Sequence, residues 1–267
     1  KAAMDIIGKT HQVDWFLGGD VPDNNYDWIM PWGVCSLPFN QTIEKYSGKK
    51  ALLCAGHPSD LVNIEKFDHI FVESPAVYRE MLPFTKSISI AFGVDTELFK
   101  PNPDEPKIFD VLYIATWSEG WKRQSLFAES VKGLRACAAG SLQPDGIEGL
   151  KKCTENGVYT MVGLVPTRVV ALLYQMSKVC VITSWHGSER SMLESLASNV
   201  PLIITKDNEL GASLVEYHAE IVNPNPITIR TAIDLQLKRQ YMDERNWVLQ
   251  KYSAQQYVHK ILEVLEK

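Results

Sequence analysis

The 267-residue sequence has no apolar run near the roughly 18 residues that a bilayer-crossing helix needs; its longest, at 179–183 and 202–205, are strand-sized. It lacks a basic excess. Lys and Arg number 27 against 32 Asp and Glu, a net charge of −5, whereas nucleic-acid binding rests mainly on Lys and Arg neutralising phosphates. The five cysteines (Cys35, Cys54, Cys137, Cys153, Cys180) contain no CxxC pair. Odd in number and set in apolar contexts, they read as reduced core thiols of a cytoplasmic protein and argue against a zinc site. There is no solenoid-period repeat, no low-complexity tract and no aspartate-rich metal motif. No pair of carboxylates has the spacing of a hydrolytic acid/base machine. Residues 1–10 (KAAMDIIGKT) read as an amphipathic helix, not as the basic-then-apolar order of a secretory leader.

What the sequence does have is alternation. Short apolar runs at 13–17, 28–31, 51–54, 69–72 and 87–91 are followed by a second set at 111–114, 135–138, 159–161, 179–183, 201–204 and 219–221. Helical patterns lie between them, as at 75–82, 124–131, 167–176 and 190–197. This predicts an α/β protein with parallel sheets covered by helices. Residues 100–107 (KPNPDEPK) hold three prolines, which fix φ and disfavour helix before them. They predict a connection between two domains, 1–100 and 107–253, with a last helix near 254–267 returning to the first. Function is expected in the loops at the carboxyl ends of the strands, where open α/β sheets bind ligands.

Two segments carry more. Residues 92–101 read FGVDTELFKP: Gly93 offers a positive φ, Asp95 can cap the following turn, and Phe99 can anchor that turn in a core. Residues 179–205 read as strand, loop (Trp185-His186-Gly187-Ser188-Glu189), helix and strand. A helix N-terminus presents unpaired N–H groups and a positive dipole end, and Gly187 permits close approach of an anion. The first segment resembles the "G-V-D-x-x-x-F-x-P" hinge signature of retaining GT-B glycosyltransferases, in particular family 4. The second resembles that family's "P-S-x-x-E-G" loop and "L-E-A-M-A-x-G-x-P-V-I" helix, with Glu194, Ala197 and Pro201 in register. Asn199 stands where glycine is usual, a mild change because Asn tolerates left-handed backbone. Asp110–Ala115 followed by Lys122, Val162-Gly163-Leu164, the strand 67–74 and ALLCAGH at 51–57 extend the likeness over most of 26–267.

The resemblance implies a GT-B fold, with two Rossmann-like domains whose parallel sheets face each other across a cleft. It implies transfer of a hexose, with retention, from a UDP- or GDP-sugar to an acceptor hydroxyl, without a metal or other cofactor. Lys122 matches the phosphate-binding lysine, and Arg123 is the candidate for an arginine the family carries after this domain's first strand and this chain lacks. Gly187, Ser188 and Glu189 would receive the diphosphate at the helix start, and the loop from Gly163 would shape base selection. Glu194 matches the glutamate that binds the two ribose hydroxyls, for which a two-oxygen acceptor is suited. His186 replaces the family's first motif glutamate, which contacts the donor sugar. His57, near Asp60, matches a histidine beside the transferred sugar, and Trp32 is a candidate for stacking on the acceptor side. Lys1 falls inside what resembles the first helix, which leaves the first strand and its glycine-rich loop unmatched. The acceptor expected is a glycan, lipid or small molecule. Transfer onto modified DNA bases, nucleotide-sugar binding without turnover, and an unrelated doubly wound protein such as an epimerase stand as alternatives.

Overall fold

The computed structural model describes residues 2–14, 26–33, 46–55, 64–239 and 243–267. The chain divides into two compact units, residues 1–93 with 254–267, and residues 94–253.

The first unit is built on a parallel sheet of β1 (Trp28–Ile29), β2 (Trp32–Gly33), β3 (Lys49–Cys54), β4 (His69–Val72) and β5 (Ile88–Ile90), in the order β1-β3-β4-β5. Of the strand expected at 28–31 only β1, Trp28–Ile29, is regular, and an unexpected second piece, β2, follows it on the same neighbour: β1 pairs the start of β3 and β2 its end. Pro31 falls at the break, where its missing N–H cannot donate to the ladder while its carbonyl still accepts from Leu53 N–H at 3.0 Å. Helices α1 (Ala2–Ile7) and α2 (Pro75–Met81) belong to this unit; Ser74 caps α2 by accepting from Val77 N–H. The C-terminal helix α11 (Ala254–Leu265) completes it: Ile261 joins Ala51, Phe71 and Ala91 in a core flanked by Trp28, Met30 and Tyr257. Of the strand expected at 13–17, residues 13 and 14 are irregular and the rest lie outside the described residues.

The second unit carries a six-stranded parallel sheet of β6 (Phe109–Ile114), β7 (Ala136–Gly140), β8 (Tyr159–Val162), β9 (Ser177–Ile182), β10 (Leu202–Thr205) and β11 (Glu220–Val222). Its helices are α3 (Glu119–Lys122), α4 (Gln124–Ser130), α5 (Ile147–Glu155), α6 (Thr167–Gln175), α7 (Glu189–Ala197), α8 (Glu209–Val215), α9 (Pro226–Gln236) and α10 (Arg245–Lys251). Val111, Leu112 and the run Val179–Ile182 are fully buried, as central strands covered on both faces must be. The strand order is β11-β10-β9-β6-β7-β8. The chain therefore starts at the centre with β6, winds out to β8, and returns to β9 on the other side of β6. Loops leaving β6 and β9 run in opposite directions, which opens a crevice at the carboxyl ends of these two strands.

Residues 94–101 belong to the second unit. Asp95 caps their turn as expected, accepting from the N–H groups of Glu97 and Leu98 at 3.1 Å, and Phe99 is buried. The structure corrects the reading of Gly93, which is not among the glycines with left-handed backbone; the next residue, Val94, is held in a parallel bridge to Ser253, so the chain here is extended. Arg245, invisible in the sequence pattern, fixes the segment by donating to the carbonyls of Thr96, Phe99 and Ala197. Asn199 takes the left-handed conformation expected of it, with φ 59°.

The ends of β6 and β7 approach so closely that a Cβ on Gly140 would lie 1.8 Å from the Ala115 carbonyl oxygen and 2.6 Å from its carbon. Backbone cannot yield as a side-chain tip does. Gly140→Ala is expected to destabilise the protein by about 1–3 kcal/mol, the range for overpacking, read as a lower urea midpoint at unchanged slope.

Candidate active site

The crevice between β6 and β9 is closed at its base by hydrogen bonds between the two loops that flank it. Tyr113, fully buried on β6, donates its hydroxyl to the Lys122 carbonyl at 2.6 Å. Burial lifts this phenol far above its ordinary range, so it stays a donor. Thr183, just after β9, donates to the carbonyls of Lys122 and Arg123 at 2.9 and 3.0 Å. Trp185 N–H donates to the Trp121 carbonyl at 3.1 Å, and the Trp185 indole N–H to the Gly120 carbonyl at 2.8 Å.

This lacing delivers the Lys122 ammonium to the start of α7. Its Nζ lies 2.9 Å from the His186 carbonyl and 3.0 Å from Ser188 Oγ. An ammonium has three N–H donors, so one remains for a ligand. Ser188 Oγ is held in turn by Ser184 Oγ at 2.9 Å. The expected meeting of Lys122, His186, Gly187, Ser188 and Glu189 is thus present.

The loop needs unusual backbone. Gly187 and Ser188 both have left-handed φ, 73° and 77°. A Cβ on Gly187 would stand 2.8 Å from Lys122 Nζ. For Ser188 the strain is of order 1–2 kcal/mol, offset by the bonds around it. Asn208 contributes from β10's far end, donating to the carbonyls of Ser184 at 3.0 Å and Gly187 at 2.9 Å. Because a trans peptide sets C=O and N–H antiparallel, the Gly187 carbonyl bound to Asn208 turns the Ser188 N–H the opposite way. Among the described residues that N–H has no partner.

Two carboxyls sit in α7 with 6% exposure each, Glu189 and Glu194. Glu189 Oε1 is buried without a hydrogen-bond partner among the described residues. Burial raises the Glu189 pKa against its own N–H and the Lys122 charge, and burial lowers that of Lys122 against the Glu189 charge. Each group therefore holds its charge less firmly than in water. Glu194 lies five residues further, about 7.5 Å along the helix. Burial pushes its carboxyl up to about 8, with the Arg190 charge opposing.

Arg123 is placed differently from the expectation. Its backbone is left-handed, φ 54°, between α3 and α4. Its guanidinium reaches away from the helix start: Nε donates to the Thr183 carbonyl at 2.6 Å, and the terminal nitrogens to Thr205 Oγ1 and, in a fork, to both oxygens of Asp207. Burial pushes the Asp207 carboxyl up, but the Arg123 and Thr205 bonds and the Arg123 charge outweigh this and lower its pKa. Arg123 ties the β6 loop to the end of β10, and its charge is already matched.

His186 has two tryptophan rings near it that the expectation omitted. Trp121 lies parallel to it with ring centroids 6.4 Å apart, and Trp185 is tilted at 5.6 Å. The signal available in the sequence was a large aromatic beside each of two expected site residues, Lys122 and His186. Gly163 is at the carboxyl end of β8, two strands from β6, with φ 121° and open space where a Cβ would go. It is not part of the Lys122 cluster. In the first unit, Trp32 is exposed on β2, and His57 and Asp60 lie outside the described residues. Among the described residues no three His, Cys, Asp or Glu side chains are grouped to hold a metal ion, and no helix is long and apolar enough to cross a membrane.

The Glu194 proton gives a pH test. A carboxyl whose folded pKa is raised contributes its stabilisation fully below its unfolded value near 4.5 and loses it as pH rises through about 8. Urea midpoints of the wild type should therefore fall between pH 6 and pH 9, and Glu194→Gln should lose most of that fall; equal slopes in both proteins would contradict the placement.

No family model matches the chain, and no curated protein does. Solved structures do match. Sucrose-phosphate synthase from Thermosynechococcus elongatus superposes with TM-score 0.65 and 15% identity, covering 85% of this chain and 69% of that one. HepE from Anabaena, in complex with UDP and glucose, gives 0.66 and 14%, over 82% of this chain and 72% of its own. TarM gives 0.62 and 15%; this chain covers 82% of itself but only 51%, about half, of TarM. At such identities the likeness is one of architecture, and it agrees with the two parallel sheets and the strand order of the second: this chain has the GT-B fold of glycosyltransferases.

Proposed function

We propose that the protein is a glycosyltransferase that takes a hexose from a nucleoside-diphosphate sugar, UDP- or GDP-linked, and passes it to an acceptor hydroxyl. The observation that carries the reading is the Lys122 ammonium at the start of α7, at the point where the strand order reverses. A departing diphosphate needs compensation where its charge develops. Among the described residues Lys122 has one N–H left for it and the Ser188 N–H has no partner, and the helix end adds a partial positive charge. These supply the positive charge that the transfer requires without calling on a metal. The Glu194 carboxyl, buried in α7, suits the two vicinal hydroxyls of a ribose; burial raises its pKa to about 8, so in its neutral form it can donate as well as accept.

Retention of configuration is carried over from the resemblance of residues 92–101 and 179–205. From the same source His57, Asp60 and Trp32 are proposed on the acceptor side, with a glycan, lipid or small molecule as acceptor, and the loop from Gly163 as the base-selecting element. His186, where that family has a glutamate, favours one other reading: nucleotide-sugar binding without turnover.

Thermal unfolding with UDP, GDP and their sugar conjugates tests the reading. One of these is expected to raise Tm, by linkage worth about 2.7 kcal/mol at 100 times the dissociation constant. Lys122→Gln keeps a donor but drops the charge, and should weaken diphosphate binding about ten- to a hundredfold, the value of a charge-assisted hydrogen bond, while binding of the bare nucleoside changes little. No stabilisation by any conjugate would sink the reading. Binding without hydrolysis or transfer would select the alternative.

A further inference from the structure

Trp121 and Trp185 are 46% and 48% exposed, unusual for the largest apolar side chains, and they share one place. They come from different loops, Trp121 from the end of α3 and Trp185 from the turn before α7. Yet their backbones are hydrogen-bonded to each other, Trp185 N–H to the Trp121 carbonyl. The Trp185 indole N–H is satisfied by the Gly120 carbonyl at 2.8 Å, which fixes that ring. The His186 imidazole is parallel to the Trp121 ring within 5°, and Lys122 Nζ stands 5.5 Å from the centroid of Trp121. The two half-exposed tryptophan rings and the His186 imidazole therefore lie together beside the ammonium proposed to hold the diphosphate. A ring held in advance, as Trp185 is, loses little freedom on binding, and exposed aromatic side chains rimmed by polar groups mark a binding surface.

The direction of α7 says which end of the ligand meets it. Glu194 lies along the helix from its N-terminus, whereas His186 and Trp185 precede that terminus. If the diphosphate is at the helix start and the ribose at Glu194, the group on the other side of the diphosphate leads toward His186. We infer that Trp121, His186 and Trp185 form the floor on which the transferred sugar lies, and that the two tryptophans determine which sugars are accepted. The chemical class they suit is a pyranose that turns an unbroken C–H face to the rings and its hydroxyls away from them. An equatorial hydroxyl lies outside that face, and an axial hydroxyl on it would be pressed against apolar carbon without a partner, which is unfavourable. This rests on the proposed function, since it takes the diphosphate position as given.

The test compares each sugar conjugate with its own diphosphate. Dissociation constants are measured for UDP, UDP-glucose, UDP-galactose, GDP and GDP-mannose on wild type, Trp121→Ala, Trp185→Ala and the corresponding Phe variants. The ratio of conjugate to diphosphate dissociation constant is expected to rise about two- to tenfold in the Ala variants, the worth of a ring contact, and to recover in the Phe variants. In the Trp121 variants binding of UDP or GDP alone should stay at the wild-type value, which also reports that the site is folded; the Trp185 variants lose the bond to the Gly120 carbonyl and are read by the ratio alone. Parallel weakening of diphosphate and conjugate in the Trp121 variants would mean the rings hold the base or merely the loop, and would overturn the inference, as would ratios that do not move. Wild type that binds no diphosphate at all would instead overturn the proposed function and the sugar floor with it.

Discussion

The second unit depends on a short piece of main chain, residues 120–123, being tied to another, residues 183–188. The carbonyls of Gly120, Trp121, Lys122 and Arg123 all accept from Tyr113, Thr183 or Trp185. These loops leave β6 and β9 in opposite directions, and nothing in the sheet itself would hold them together. Side chains must close the gap, and buried hydrogen bonds are strong there because no water competes. Once the carbonyls are fixed, the side chains between them have little choice. Lys122 is directed to the α7 start and Arg123 to the ends of β9 and β10, so two adjacent cations serve different loops.

That division explains why local backbone strain concentrates here. Arg123 and Ser188, two of the non-glycine residues with positive φ, flank the crevice, and Gly187 shares the conformation. Such residues persist only where their surroundings over-determine them. The Asp207 fork does this for Arg123, and Ser184, Asn208 and Lys122 do it for the turn at 187–188. Strain at a site and redundancy around it are one design.

Strand periodicity made most of the sheets legible. Runs such as 70–72 and 179–182 are buried and carry Val and Ile, so composition and structure coincide. β2 escaped because it is two residues long and follows a proline that splits what reads as one strand. Of the site, Gly187 and Ser188 could be placed because a glycine-containing turn before a helix has a definite physical meaning, whereas Lys122, His186 and Glu194 were placed by the resemblance of their segments to family 4 glycosyltransferases. Arg123 could not, since a positive charge in a loop has no direction until its partners are known. Asp207 and Thr205, which decide that direction, are more than eighty positions away. Trp121 and Trp185 were readable only as individual aromatics, their adjacency being a product of the fold. The same holds for Arg245, whose three carbonyl partners lie about fifty and nearly one hundred and fifty positions before it.

The parallel bridge between Val94 and Ser253, reinforced by the Val94 N–H bound to the Tyr252 carbonyl at 2.8 Å, has a topological meaning. The chain enters the second unit and leaves it side by side, so this unit is an insertion within the sequence of the first, as a closed ring grafted onto a host. Cutting the chain once cannot separate the two parts, but the inserted part has adjoining ends, the arrangement in which a domain tolerates excision or rejoining of its termini.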